Sequence, residues 1–357
     1  MSTLIRPPKV DPVKSNIENT LELTQLTDID PNLFTNTREL WHPPGARGLY
    51  GGCVIAQSLA AAQRTVPKNF TGHSMHCYFV LAGSSEMPVI YHVEHVREGR
   101  SFATRTVQAR QRGAIIFTTT ISFVRENSGG KLKLEHSTTM PDVPDPVENI
   151  DDFRAPQGSQ GPFQSQRIDI ENNDSPEIHT KRIRQWIRAR GKISESGGHE
   201  AHLSALAYMS DSYFVGTIAR VHKVWRFTPP GKDGKPTVDA DVLKKLLEMD
   251  DDDIRKLPGM DDELIKRIRE RQRTGKWDQP DPRPEIGMMV SLDHTIFFHN
   301  PRDFRADEWM YTEMESPWTG DGRGLVIQRM FTRDGKLIAT CVQEGMCRLK
   351  QPADSKL

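Results

Sequence analysis

Between His199 and Ile218 the chain reads HEAHLSALAYMSDSYFVGTI, and from Leu203 to Met209 nearly every position is apolar or small. A helix of that composition is hydrophobic all round, so whatever this chain folds into has to wrap it. Asp211 closes the run, with no Lys or Arg between Leu203 and Ile218 to neutralise it locally. Two readings stand on the residues alone. Asp211 either caps the next turn or faces water, as Asp commonly does at such boundaries, or it is a desolvated carboxylate with a chemical task.

A second stretch of the same kind lies earlier. Gly51 and Gly52 open the Ala-rich apolar run CVIAQSLAAAQRTV, which predicts a buried helix ending near Pro67. A short strand, Leu21 to Leu26, precedes it, and strands are expected at Ser74 to Leu81, Val89 to Val96, Phe102 to Arg110 and Ile115 to Val124, with Gln111-Arg112-Gly113 as a hairpin turn. After Val124 the composition changes to Gly129-Gly130 and MPDVPDPVENIDDF, whose prolines and carboxylates predict a linker rather than a core. The same order then returns: a strand around Gln185 to Arg188, the helix from Leu203, then strands at Ser291 to Phe298, Trp309 to Met314, Leu325 to Thr332 and Leu337 to Gln343, the last two joined at Arg333-Asp334-Gly335. Order, spacing and turn chemistry together indicate an internal duplication.

The chain is 357 residues long, enough for a substantial core in one large domain or two ordinary ones. Lys plus Arg and Asp plus Glu stand at 48 each, so no overall field points to nucleic acid or an anionic membrane. No apolar run approaches membrane-spanning length and MSTLIRPPKVDPVK lacks a signal-peptide core, so a soluble intracellular protein is expected. The four cysteines form no C-x-x-C pair, which argues against zinc and structural disulfides. His73 with His76, and His92 with His95, lie three apart in strand-like surroundings and point to opposite faces, so no metal site is expected. The last three residues, Ser355, Lys356 and Leu357, spell S-K-L, a peroxisomal address behind the polar QPAD. It implies an import receptor as partner and the peroxisomal matrix as location.

Several runs taken together resemble the acyl-CoA thioesterase II family: Leu49-Tyr50-Gly51-Gly52 before Ala56-Gln57, HSMHCYFV with Pro88-Val89-Ile90-Tyr91, Arg97-Glu98-Gly99-Arg100-Ser101-Phe102, then WIRARGK, LAYMSD, SLDHTIFFH and VQEG. The resemblance covers most of the chain from Leu21 to Leu349. It implies an α+β double hotdog, two tandem antiparallel sheets each wrapped around a central helix. The expected layout is an N-terminal tail (1–20), a first repeat (21–126), a linker (127–180), a second repeat (181–349) with a helical insertion at about 228–284, and a C-terminal tail (350–357). The resemblance implies hydrolysis of fatty acyl-CoA to acid and CoA by a water held and activated by Asp211, Ser291 and Gln343, with no cofactor. Such a site is chemically coherent, since a carboxylate takes the proton while a hydroxyl and an amide aim the water. A homo-oligomer is implied as well.

The first repeat is not expected to carry a second site: its helix from Gly51 to Val66 holds no Asp or Glu, and Ser122 falls near where Gln343 would. The amides of Gly51 and Gly52, at a helix N-terminus, are candidate oxyanion donors. Among rival sites, Ser291, Asp293 and His294 invite a Ser-His-Asp relay, but strand alternation places His294 on the opposite face from the other two. Cys53 at a helix N-terminus is a rival thiol nucleophile, but free cysteines are more often simply buried and the resemblance gives it no role. A hotdog enoyl-CoA hydratase is the nearest enzymatic alternative, and His299-Asn300-Pro301 lacks the Asp ahead and the His behind that such an enzyme needs. Within the insertion, Val242-Leu243, Leu246-Leu247, Leu264-Ile265 and Ile268 predict two short amphipathic helices joined at Leu257-Pro258-Gly259. The basic run Lys266 to Arg273 suggests an interaction module there, but Asp250 to Asp253 and Asp261 to Glu263 offset it, and nucleic acid is not an expected partner.

Overall fold

A computed structural model of the chain describes residues 7–41, 48–148, 161–224, 246–255, 262–275, 284 and 286–351. Ser355 to Leu357, and the expected turn at Leu257-Pro258-Gly259, lie outside them.

The elements run α1 (Asn16–Leu21), β1 (Leu23–Gln25), β2 (Leu33–Asn36), α2 (Gly51–Gln63), β3 (Phe70–Phe79), β4 (Ile90–Glu98), β5 (Phe102–Gln111), β6 (Ala114–Arg125), β7 (Phe163–Glu171), β8 (Arg182–Ala189), α3 (Gly198–Ser210), α4 (Gly216–Val221), β9 (Ile286–Ser291), β10 (Asp293–Phe298), β11 (Met310–Gly320), β12 (Arg323–Thr332) and β13 (Leu337–Leu349), with two short helices, Asp251–Arg255 and Asp262–Thr274, ahead of β9. Strand pairing throughout is antiparallel, and among the described residues the sheet of each repeat runs into the other where β3 pairs with β10. This is the double hotdog, with the two sheets joined edge to edge. One core continues through both repeats, from Ile17 to Cys341.

The two central helices pack on each other antiparallel. At one end a side chain on Gly52 would come within 2.2 Å of the Tyr208 carbonyl oxygen, and at the other Gln63 Nε2 donates to Ser204 Oγ at 3.2 Å. Residues such as Ala56, Ala62, Ala205 and Ala207, all completely buried, allow that closeness. Each fully enclosed Leu or Ile on these helices contributes about 1.5–3 kcal/mol by leaving water.

Two elements differ from the sequence reading. The stretch 16–21 is a helix rather than tail, started by a capping box in which Ser15 and Glu18 satisfy each other's backbone amides. Glu18 also accepts from the Ser194 amide at 3.1 Å, tying the N-terminus to the second repeat. The expected linker contains β7, an edge strand whose half-exposed residues show no clean alternation. Ahead of β7, Met140 and Val143 pack on the outer aromatic cluster of Trp186, Trp309, Tyr311, Phe331 and Leu337, so this Pro-rich segment seals an apolar patch without regular structure. In the insertion, Leu246, Ile254, Ile265 and Ile268 form a small core of their own, and Arg255 pairs with Asp252 and Asp262 while Arg269 pairs with Asp251.

Gly52→Ala should destabilise the fold by about 1–3 kcal/mol or more, because backbone rather than a mobile side-chain tip blocks the new methyl. Thermal unfolding beside Gly129→Ala, where nothing lies within 4 Å, checks it: equal melting temperatures would show that the helix crossing relaxes freely.

Candidate active site

Asp211 is the residue that ends α3, and the antiparallel crossing brings its carboxylate to the start of α2. The Gly52 amide donates to it, and a side chain on Gly51 would touch Oδ2 at 2.5 Å. On its other side Gln343, on β13 and almost wholly buried, donates from Nε2 to Asp211 Oδ1 at 2.9 Å. Burial raises the Asp211 carboxyl to about 6, against the lowering effect of the Gln343 and Gly52 hydrogen bonds. Desolvation of the carboxylate therefore outweighs both donors and the helix dipole that favours an anion there. Asp211 both caps the end of α3 and is partly withdrawn from water beside the start of α2.

Gln343 Nε2 also lies 3.2 Å from His294 Nδ1, and His294 Nε2 lies 3.0 Å from Ser210 Oγ. His294 is completely buried, its ring edge-on to Phe214 at 5.2 Å, and burial lowers its imidazole to about 3, so it is neutral. Gln343 Oε1 is buried with no protein partner.

Strand parity fails at β9 and β10. Ser291 faces Gly345 on β13, while Thr295 faces Val342, so one extra residue enters between the two strands. The irregularity at Leu292 is held by its amide on the Glu344 carbonyl at 2.9 Å and by the Phe79 amide on the Leu292 carbonyl at 3.0 Å. A bulge of this kind flips the side chains beyond it, so Ser291 and His294 share the inner face with Gln343, and Asp293 turns outward to accept the Glu344 amide at 2.7 Å. The expectation that His294 opposes Ser291 is corrected. A Ser-His-Asp relay is still not formed, because both ring nitrogens are engaged elsewhere and Asp293 points away. Ser291 itself is half-buried, and no described residue hydrogen-bonds its hydroxyl.

Other expectations shift as well. The Gly52 amide, a candidate oxyanion donor, is engaged by Asp211, which leaves Gly51 of that pair. Cys53 is completely buried and its thiol is pushed up to about 12, so desolvation outweighs any activation by the helix terminus and the rival reading as a nucleophile gains no support. Ser122 lies on the outer side of β6, bonded to His73 Nε2 at 2.8 Å, while Ile121 and Phe123 face inward. The helix α2 ends at Arg64 where α3 ends at Asp211, so the end of the first repeat's helix carries a cation in the corresponding place.

A sequence profile of the acyl-CoA thioesterase N-terminal domain matches residues 38–124, and one of the acyl-CoA thioesterase C-terminal domain matches residues 141–347. Acyl-coenzyme A thioesterase 8 of Homo sapiens is 33% identical over 353 residues, which cover 93% of this chain and 90% of the relative. The chain belongs to the acyl-CoA thioesterase family. The peroxisomal acyl-coenzyme A thioester hydrolase 1 of Saccharomyces cerevisiae is 25% identical, over 93% of this chain and 94% of the relative. The crystal structure of the acyl-CoA thioesterase II TesB2 of Mycobacterium marinum superposes with a TM-score of 0.62 at 26% identity, covering 96% of this chain and 99% of that one. Like its family, the chain is a thioester hydrolase. Within this thioesterase fold, Asp211 and Gln343 are in direct contact, Ser291 shares the inner face with Gln343, and Ser210 and His294 complete a hydrogen-bonded group that the sequence reading did not include. Among the described residues no three His, Cys, Asp or Glu side chains are placed to hold a metal, and no helix is long and apolar enough to cross a membrane.

The raised Asp211 value has a consequence for stability. Its folded-state value lies above the ordinary 3.8, so the folded protein binds the proton more tightly, and stability is lost as pH rises from about 4 through about 6. A shift of this size is worth at most about 3 kcal/mol. Asp211→Asn should therefore melt at the same temperature as the parent near pH 4 and higher than it at pH 8. A variant that is less stable at pH 8 would show that the carboxylate is not desolvated.

Proposed function

We propose that this chain hydrolyses fatty acyl-CoA to the free acid and CoA, with Asp211 as general base for a water positioned by Ser291 and Gln343. The observation that carries the reading is the half-buried Asp211 carboxylate with the Gln343 amide at 2.9 Å and a value raised to about 6. At neutral pH such a group is ionised and still basic enough to take a proton from water. Gln343 Oε1 and the Ser291 hydroxyl supply further polar atoms for the same water. Asp211 takes one proton, the oxygen attacks the thioester carbonyl carbon, and the carbonyl oxygen becomes an oxyanion beside the start of α2, where the Gly51 amide is the proposed donor. Collapse breaks the carbon–sulfur bond, and the proton held by Asp211 goes to the departing CoA sulfur. No step calls for a cofactor. A hydratase is less well supported, since His294 is neutral, committed on both nitrogens and not in contact with Asp211.

Peroxisomal import through Ser355-Lys356-Leu357 and assembly into a homo-oligomer belong to the same proposal. The yeast relative's name supports the first, and the exposed Tyr78 and Phe297 on the outer side of β3 and β10 support the second. Removing the tripeptide should leave activity and solution size intact and shift a fluorescent fusion from peroxisomes to cytosol; an unchanged distribution would mean that the signal is not read.

Thiol release from acyl-CoA, followed with a thiol-reactive dye, tests the chemistry. Asp211→Asn should lower turnover by a factor on the order of 100 or more, and Ser291→Ala and Gln343→Ala should lower it as well. Ser291→Thr should remain active because it keeps the hydroxyl. Full activity in Asp211→Asn, or an acyl-enzyme trapped on Ser291 or Cys53, would refute direct attack by water.

A further inference from the structure

A primary amide has a donor end and an acceptor end of nearly the same shape, so Gln343 can sit either way round in its slot. The two orientations are not equivalent for Asp211. One gives the carboxylate a hydrogen bond, and the other sets a carbonyl oxygen against it. Asp211 cannot fix the choice alone, because with a value near 6 it visits both protonation states around neutrality, and its protonated form can donate to the carbonyl end.

We infer that His294 is a positioning residue that fixes the orientation of the Gln343 amide, and that Ser210 fixes His294 in turn. This rests on the reading of Asp211 as the base. The chain of commitments starts from the Ala207 carbonyl, which can only accept. Ser210 Oγ donates to it at 2.9 Å, so the hydroxyl oxygen is left to accept from His294 Nε2–H at 3.0 Å. A neutral imidazole protonated on Nε2 carries a lone pair on Nδ1, and that lone pair takes one Gln343 N–H at 3.2 Å. The other Gln343 N–H goes to Asp211 Oδ1 at 2.9 Å. Rotating the amide would press Oε1 against both the Nδ1 lone pair and the carboxylate. The remaining acceptor, Oε1, is therefore held away from both and is free of protein partners.

The polarity of a single helix carbonyl thus reaches Asp211, four residues further along the same chain, by a path through Ser210, His294 and Gln343. The opposite tautomer requires two changes at once: Gln343 rotates, and Ser210 leaves Ala207 to donate to Nε2. The Cys341 thiol also reaches Ser210, but burial pushes it up and keeps it protonated, so it competes weakly as an acceptor. Packing against Phe214 and complete burial keep the imidazole from turning out to solvent.

The test uses the full chain with His294→Phe, His294→Asn and Ser210→Ala, measuring acyl-CoA hydrolysis against pH together with thermal unfolding. His294→Phe should lower kcat about tenfold or more with KM changed by less than about twofold, since the amide is released and the substrate is not touched. Asp211 then loses a fixed donor, so the acid limb of kcat/KM should move upward from about 6. Tyr50, Tyr208 and Cys77 around the carboxylate are all pushed up and stay neutral in that window, so the limb reports Asp211. His294→Asn, which can present an acceptor near the Nδ1 position, should recover part of kcat, and Ser210→Ala should shift both quantities the same way by less. Nitrogen NMR of protein labelled at histidine should show the buried imidazole as the Nε2–H tautomer from pH 5 to 8.

A folded His294→Phe with unaltered kcat and acid limb, or an Nδ1–H imidazole in the parent, would overturn the inference. If Asp211→Asn is inactive while His294→Phe is silent, only the positioning role falls; if Asp211→Asn is fully active, the reading of the base falls first. Should His294→Phe not fold, the other two variants and the tautomer decide the matter.

Discussion

The contact on which the rest of the structure depends is the antiparallel crossing of α2 and α3 at Gly52. No residue with a side chain fits between Tyr50, the Tyr208 carbonyl and the helix backbone there. That closeness sets the start of one helix against the end of the other, so Asp211 leaves α3 and meets the Gly52 amide at once. A carboxylate at the end of its own helix faces the unfavourable pole of that dipole, and the start of a neighbouring helix offsets this. Duplication makes two such meetings per chain. At the other one α2 ends on Arg64, which donates to the Leu23 carbonyl at 2.9 Å, and the chemistry available at that end is structural.

The second constraint is the irregularity at Leu292, which lies at the seam of the two repeats. Here β3 of the first repeat and β13 of the second both bond the Leu292 backbone. Without the extra residue, Ser291 and His294 would face opposite sides of the sheet. With it, Ser291, His294 and Gln343 share one face of the sheet, and the His294 ring and the Gln343 amide reach the end of α3. The candidate site lies where the sheet changes register, which is where bulges commonly re-aim side chains.

Much of this was legible in the residues and some was not, for reasons that can be named. The two enclosed helices, the duplication, the hairpin turns and the candidates Asp211, Ser291 and Gln343 follow from apolar patterning and from ordered motifs, because those signals are local or shared with a family. The helix at 16–21 was legible too, in Ser15 and Glu18, but a six-residue helix leaves little periodicity to notice. The edge strand β7 was obscured because it is half-exposed along its length. The place of His294 could not be read at all: a bulge depends on which amides neighbouring strands offer, and counting residues along one strand assumes there is none. Ser122 falls outward by the regular alternation of β6, in which Ile121 and Phe123 take the inner face. The value of the Gly52 amide was likewise invisible, because only the crossing of two distant segments brings a carboxylate to it.

The electrostatics of the pocket bear on how a proton returns to the product. Burial pushes Tyr50, Tyr208 and Cys77 upward and His294 downward to about 3, so each is neutral near pH 7, and Asp211 at about 6 is the group among them whose charge changes near neutrality. Under the proposed hydrolysis, neither His294 nor a tyrosine is poised to act as a separate general acid. A thiol ordinarily titrates near 8.5, so a departing CoA thiolate is more basic than Asp211 by roughly two units. The proton taken from water therefore passes downhill from Asp211 to sulfur, with no second acid needed. The same weak basicity of a thiolate, compared with an alkoxide, lets the carbon–sulfur bond break before the proton arrives. Under this reading the weakly acidic Asp211 is matched to thioesters, whereas an ordinary oxygen ester, whose alkoxide must be protonated as it leaves, would find no strong acid among these groups.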